Sequence, residues 1–252
     1  MLFRSAGDWA WPELAALDAG SWHSPAYAGE PVGRLRDVAR WLLSRGLMLN
    51  IEMKPTAGQE IETGAQVARE AAQLWADASI WPLLTSFQTA SLEAAARIAP
   101  HLPRGLLLSE WRDDVFEVLS QHRHSALICQ HELWTHARTQ EAARRGIWRL
   151  SYTVNDPAVA DRLWQWGHEA LITDAIDRIV ALHLGIEGPL VERRNPGLGQ
   201  LPMLRRFKNH NRHPCFFSDQ HTGFQPIIDH LAVQSGRNRR PGCGFWNRAE
   251  LL

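Results

Sequence analysis

The feature that most constrains this chain is a repeat: six short β-rich runs, at 47–54, 81–87, 105–109, 126–130, 148–154 and 170–173, separated by stretches with helical periodicity. Residues 31–45 place Val32, Leu35, Val38, Trp41 and Leu42 at helical spacing and end at Gly46, a residue suited to the left-handed position that closes a helix. Residues 63–76 and 91–98 carry the same period, 133–145 stops at Gly146, and 157–166 opens on a first-turn proline and stops at Gly167. Strands and helices alternating at this length predict parallel strands joined by right-handed crossovers. A doubly wound sheet and a (β/α)8 barrel both satisfy that pattern. Six strand–helix units are two short of a barrel.

The first run ends in Leu49-Asn50-Ile51-Glu52-Met53-Lys54-Pro55. Side chains alternate along a strand, so Leu49, Ile51 and Met53 point one way and Asn50, Glu52 and Lys54 the other. Pro55 then ends the strand. A carboxylate and an ammonium therefore share one face at the C-terminal end of a parallel strand, where α/β folds normally place their chemistry. A solvated, idle pair at the strand's rim is the plain alternative.

Charge and cysteine content narrow the classes. The chain has 27 basic and 27 acidic side chains, so no global charge argues for nucleic acid or a membrane surface. Residues 1–186 hold 17 Lys/Arg against 22 Asp/Glu, and 187–252 hold 10 against 5. Cys129, Cys215 and Cys243 form no CxxC pair, which fits a reducing compartment without a disulfide framework. The start shows no signal-peptide pattern, and no stretch approaches the length of a membrane span. A cytoplasmic protein is expected.

The first 30 residues, rich in Trp, Ala, Gly and Pro, read as an irregular or short-helical insertion. Beyond residue 184 the pattern dissolves; 185–252 reads as an irregular, disordered tail in which only 227–233 looks locally foldable. His210, His213, Cys215 and His221 match no zinc-ligand spacing. Arg237, Arg239 and Arg240 read as a solvated basic cluster.

Six segments carry a family resemblance: DAGSWHSPAYAGEPVGRLRDV (18–38), LNIEMKP (49–55), LLTSF (83–87), RGLLLSEWRDD (104–114), YTVND (152–156) and ITDAID (172–177). In that order they resemble the bacterial glycerophosphodiester phosphodiesterase family, from about residue 4 to about residue 180. The resemblance implies a (β/α)8 TIM barrel over 1–184, a divalent metal (Mg2+ or Ca2+), and hydrolysis of glycerophosphodiesters to glycerol 3-phosphate and an alcohol. Carried onto this chain, Glu52 is the metal ligand, Lys54 the catalytic lysine near the phosphate, and Tyr152 an aromatic lining the substrate pocket. A hard cation favours carboxylate oxygens, and a nearby ammonium stabilises phosphoryl charge. The partner expected is a small-molecule glycerophosphodiester, with no nucleic acid.

The departures are as specific as the match. The family carries an HRG motif, a PENT glutamate, a Glu-x-Asp pair and a His-Asp on its first two strands. No His-Arg-Gly, Glu-Asn-Thr or His-Asp occurs here. The chain therefore reads as an N-terminally incomplete member, with an open barrel edge suited to self-association. A noncatalytic remnant that at most binds phosphate or glycerophosphate is the competing expectation. A Schiff-base role for Lys54 is disfavoured, because an adjacent carboxylate favours the ammonium over the free amine. His131, which follows another run, is a further residue at a strand end.

Overall fold

The computed structural model describes residues 6–175 and 178–179, together with the backbone of 248–251. A short opening region holds 3-10 turns at Ala6–Asp8 and Pro25–Tyr27 around helix α1 (Trp11–Ala15), as the Gly- and Pro-rich composition predicts. Then come α2 (Leu35–Leu43), β1 (Asn50–Met53), α3 (Glu60–Leu74), β2 (Leu83–Ser86), α4 (Thr89–Ile98) and β3 (Arg104–Leu108). The alternation continues through α5 (Val115–Gln121), β4 (Ala126–Gln130), α6 (His136–Arg144), β5 (Trp148–Tyr152), α7 (Pro157–Gln165) and β6 (Ala170–Leu171).

The six strands pair in chain order, all parallel. Every residue of β1, β2 and β3 is buried, as required of strands covered on both faces. Helices contribute apolar stripes at the 3.6-residue period: Val38, Ala39 and Leu42 from α2, and Ala160, Leu163 and Trp164 from α7. The result is a partial (β/α)8 TIM barrel. A further strand, β7 (Arg248–Leu251), lies parallel beside β1, pairing Glu52 with Glu250. It falls in the stretch read as an irregular tail and occupies the edge from which self-association was expected; its four residues complete hydrogen bonds that β1 otherwise leaves open. The foldable segment expected at 227–233, the tail histidines and the tail arginines lie outside the described residues.

Three helices end by one device. Gly46 (φ 66°) donates to Leu43 O at 3.2 Å and Leu47 N–H to Leu42 O at 3.1 Å, a Schellman closure whose left-handed residue is cheapest as glycine. Gly146 and Gly167 close α6 and α7 in the same way. Helices α3 and α4 touch where a Cβ on Gly64 would meet the Ser91 carbonyl oxygen at 2.1 Å, while Ser91 Oγ donates to Glu60 O at 2.9 Å.

Candidate functional site

Strand β1 carries the first pair of candidates. Alternation and the register that sets Glu52 opposite Thr85 put Asn50, Glu52 and Thr85 on one face. The Thr85 hydroxyl donates to Asn50 Oδ1 at 2.9 Å, a polar contact inside the sheet. Glu52 is wholly buried, not a solvated rim residue; the Lys54 ammonium stands 3.9 Å from its Oε1, with 42% of the lysine side chain exposed. A buried carboxylate requires a compensating cation or donors, and Lys54 supplies the positive charge.

Lys54 also lines a cleft of about 270 Å3 with Thr56, Gln59, Thr63, Gln66 and Glu70, between the opening region and α3. These polar groups share the lining with Leu35, Met53 and Val67. Ser86, at the end of β2, donates to Met53 O at 2.8 Å and accepts from Gln88 N at 3.0 Å. Those bonds fix the two strand ends carrying the site.

Tyr152 ends β5 and reaches across the strand ends, its hydroxyl donating to Leu108 O at 2.8 Å. Its ring meets Phe87 edge-on, with centroids 6.1 Å apart. Burial, reinforced by Cys129 and Glu132, pushes the phenol up to about 12. His131, in the 3-10 turn after β4, pairs with Glu132 at 3.1 Å.

Glu52, Lys54, Phe87 and Tyr152 therefore all occupy C-terminal strand ends. A complete metal centre is not among them. Within the described residues no three His, Cys, Asp or Glu side chains are placed to hold one ion. Glu52 alone does not satisfy a Mg2+ or Ca2+ ion that takes six or more oxygens.

One organising residue was not singled out by the sequence. The Asp18 carboxylate accepts from Gly20 N at 2.8 Å, Ser21 N at 2.9 Å, Ser21 Oγ at 2.6 Å and Gly29 N at 3.0 Å. These donors, with the Ser21 hydroxyl foremost, hold its carboxyl far below the usual range. The Asp-x-Gly-Ser order is the available signal for such an Asx turn.

The family model for the glycerophosphoryl diester phosphodiesterases matches residues 4–178. The chain belongs to that family, whose members are phosphoric diester hydrolases. Two Bacillus subtilis (strain 168) proteins are related in sequence. YqiK, described as uncharacterized, is 28% identical over 184 residues, which cover 69% of this chain and 72% of that protein. YhdW, provisionally named a glycerophosphodiester phosphodiesterase, is 26% identical over 182 residues, covering 69% and 71%. Among solved structures, an Oleispira antarctica phosphodiesterase in complex with the product sn-glycerol-3-phosphate superposes with a TM-score of 0.60 at 27% identity, covering 68% of each chain. Among the described residues no helix is long and apolar enough to cross a membrane.

Proposed function

We propose that the strand ends around Glu52 bind the phosphodiester of a glycerophosphodiester, and that the chemistry served there is its hydrolysis to glycerol 3-phosphate and an alcohol. The observation that carries this is the buried Glu52 carboxylate with the half-exposed Lys54 ammonium 3.9 Å away, at the C-terminal end of a barrel strand. Lys54 holds phosphate oxygens by charge; Glu52 orients Lys54 and contributes one carboxylate toward a divalent cation. Tyr152 and Phe87 wall the mouth. The related phosphodiesterase that holds sn-glycerol-3-phosphate supports the substrate class. A barrel over 1–184, with the stretch after it contributing β7 to the barrel's sheet, and a reducing cytoplasmic setting belong to the same reading.

The family's HRG, PENT, Glu-x-Asp and His-Asp motifs do not occur in the sequence, so the remaining metal ligands and the acid–base pair are not supplied by any recognised position. This favours a second reading, in which the chain binds phosphate or glycerophosphate without turning it over.

Hydrolysis of glycerophosphocholine and glycerophosphoethanolamine, with and without Mg2+ or Ca2+, separates the two. Metal-dependent turnover that is lost in Glu52→Ala establishes the hydrolase. A folded chain that binds glycerol 3-phosphate with no turnover, and loses that binding in Lys54→Gln, establishes the binder.

A further inference from the structure

A second cluster of charge lies at the opposite ends of the strands and takes no part in the reading above. Arg104 opens β3 and is buried, with 6% of its surface exposed. Its Nη1 donates to Leu102 O at 2.8 Å and Pro100 O at 3.3 Å, and Nη2 reaches Arg123 O at 3.5 Å. Its Nε–H has no hydrogen-bond partner among the described residues. A buried, unsatisfied N–H on a charged group is costly.

Arg104 lines a cavity of about 360 Å3 with Arg97, Arg123, His122 and Glu93. Glu93 lies 3.4 Å from His122 Nδ1. Behind them His124 is buried and stacks on His122 with ring centroids 5.7 Å apart. Both His124 ring nitrogens lack hydrogen-bond partners among the described residues. Some arginines are matched elsewhere in the fold: Arg112 by Asp114, Arg144 and Arg145 by Glu141, Arg149 by Glu169. Arg97, Arg104 and Arg123 have no ion pair among the described residues.

Arg123 also occupies a costly position. It closes α5 as Gly46, Gly146 and Gly167 close their helices, with His124 N donating to Leu119 O at 2.9 Å, yet it has a side chain at φ 52°. A non-glycine residue there is disfavoured, so a guanidinium is kept at the cavity against the local preference.

We propose that this cavity is a binding site for a doubly charged oxyanion, inorganic phosphate or the phosphate group of a small phosphomonoester. Three guanidinium charges face one carboxylate, so a dianion neutralises the surplus. The rigid forks of N–H donors match tetrahedral oxygens. The volume admits a small phosphomonoester. A five-residue strand at ~3.3 Å per residue sets the site on the order of 15 Å from the strand ends that carry Glu52 and Lys54. The proposal therefore stands without the hydrolase reading.

The test titrates inorganic phosphate into the full 252-residue chain at constant ionic strength, chloride replacing phosphate in the control. Thermal melting and the Arg Nε–Hε NMR resonances are the readouts. A saturable rise in Tm with a shifted Arg104 Nε–Hε resonance is expected. The Arg97→Gln/Arg123→Gly double variant should weaken phosphate binding at least about tenfold. Arg123→Gly alone should raise the Tm without phosphate yet reduce the response to it, so loss of binding is not loss of fold. Glu93→Gln should tighten binding at this cavity, read from the Arg104 resonance. Glycerol 3-phosphate in place of phosphate distinguishes the sources: equal affinity makes the phosphate group sufficient, tighter binding makes a phosphomonoester the ligand. No saturable shift of the Arg104 resonance beyond that given by chloride, or a shift that survives in the double variant, overturns the proposal.

Discussion

The Lys54 ammonium lies 3.9 Å from a Glu52 carboxylate that is wholly shielded from water, although 42% of the lysine side chain is itself exposed. The pair is asymmetric: solvent screens the cation and not the anion. Lys54→Met should therefore destabilise by about 1–2 kcal/mol, less than the ~3–5 kcal/mol of breaking a fully buried pair. Adding Glu52→Gln should recover part of that loss, because the anion Lys54 compensates is gone. Urea denaturation of the four members of this cycle measures the coupling; strictly additive costs would show that the two charges do not interact.

Gly64 controls how closely α3 approaches α4. A methyl at this position would meet a backbone oxygen, that of Ser91, at 2.1 Å, and backbone does not move aside cheaply. Gly64→Ala should lower stability by about 1–3 kcal/mol despite alanine's higher helix propensity. An Ala substitution at Gly146, where no atom lies within 4 Å but φ is +69°, should cost only ~1 kcal/mol. A reversed order, read from denaturant midpoints, would refute the close-contact account.

The six strands are legible because each is a short apolar run bounded by Gly, Pro or polar residues, and the stops at Gly46, Gly146 and Gly167 follow from one backbone requirement. Helix α5 is not: the seven residues Val115–Gln121 make two turns, too few for a period to stand out. The face shared by Glu52 and Lys54 follows from alternation, but alternation does not distinguish a solvated rim from a barrel interior. That depends on neighbours such as Thr85, 33 positions further along the chain. The arginine cavity leaves no local trace, since Glu93, Arg97, Arg104, His122 and Arg123 meet only when α4, β3 and the end of α5 are folded.

Two buried histidines set an acid limit on stability. His168 packs edge-on against Trp134 at 4.9 Å with Nδ1 3.0 Å from Leu163 O, and burial, reinforced by Arg149, lowers it to about 3. Burial, then the Arg104 and His122 charges, lowers His124 to about 4. Both regain an ordinary pKa of about 6.5 when unfolded, so below that pH the unfolded chain binds more protons than the folded one. Stability contributed by the neutral rings is complete above about pH 6.5 and falls as the pH drops toward 4 and 3. The Tm should decline between pH 7 and 5. His168→Gln should flatten that decline by about one proton's worth of slope, which a pH series of melts on both proteins detects.

Tyr152 offers the opposite limit, at high pH. Its hydroxyl donates to Leu108 O at 2.8 Å and burial raises the phenol to about 12, against an unfolded value of about 10. The folded chain keeps this proton where the unfolded chain releases it, so the contribution is whole below pH 10 and lost as the pH rises toward 12. The protein has two tyrosines, so a phenolate absorbance titration resolves one from the other. One of the two steps should fall near pH 12 and vanish in Tyr152→Phe. The same variant keeps the ring against Phe87 and loses the hydrogen bond, costing about 1 kcal/mol at neutral pH. A Tyr152 step at an ordinary phenol pKa, with no stability cost in Tyr152→Phe, would mean that the hydroxyl faces water and does not join the ends of β5 and β3.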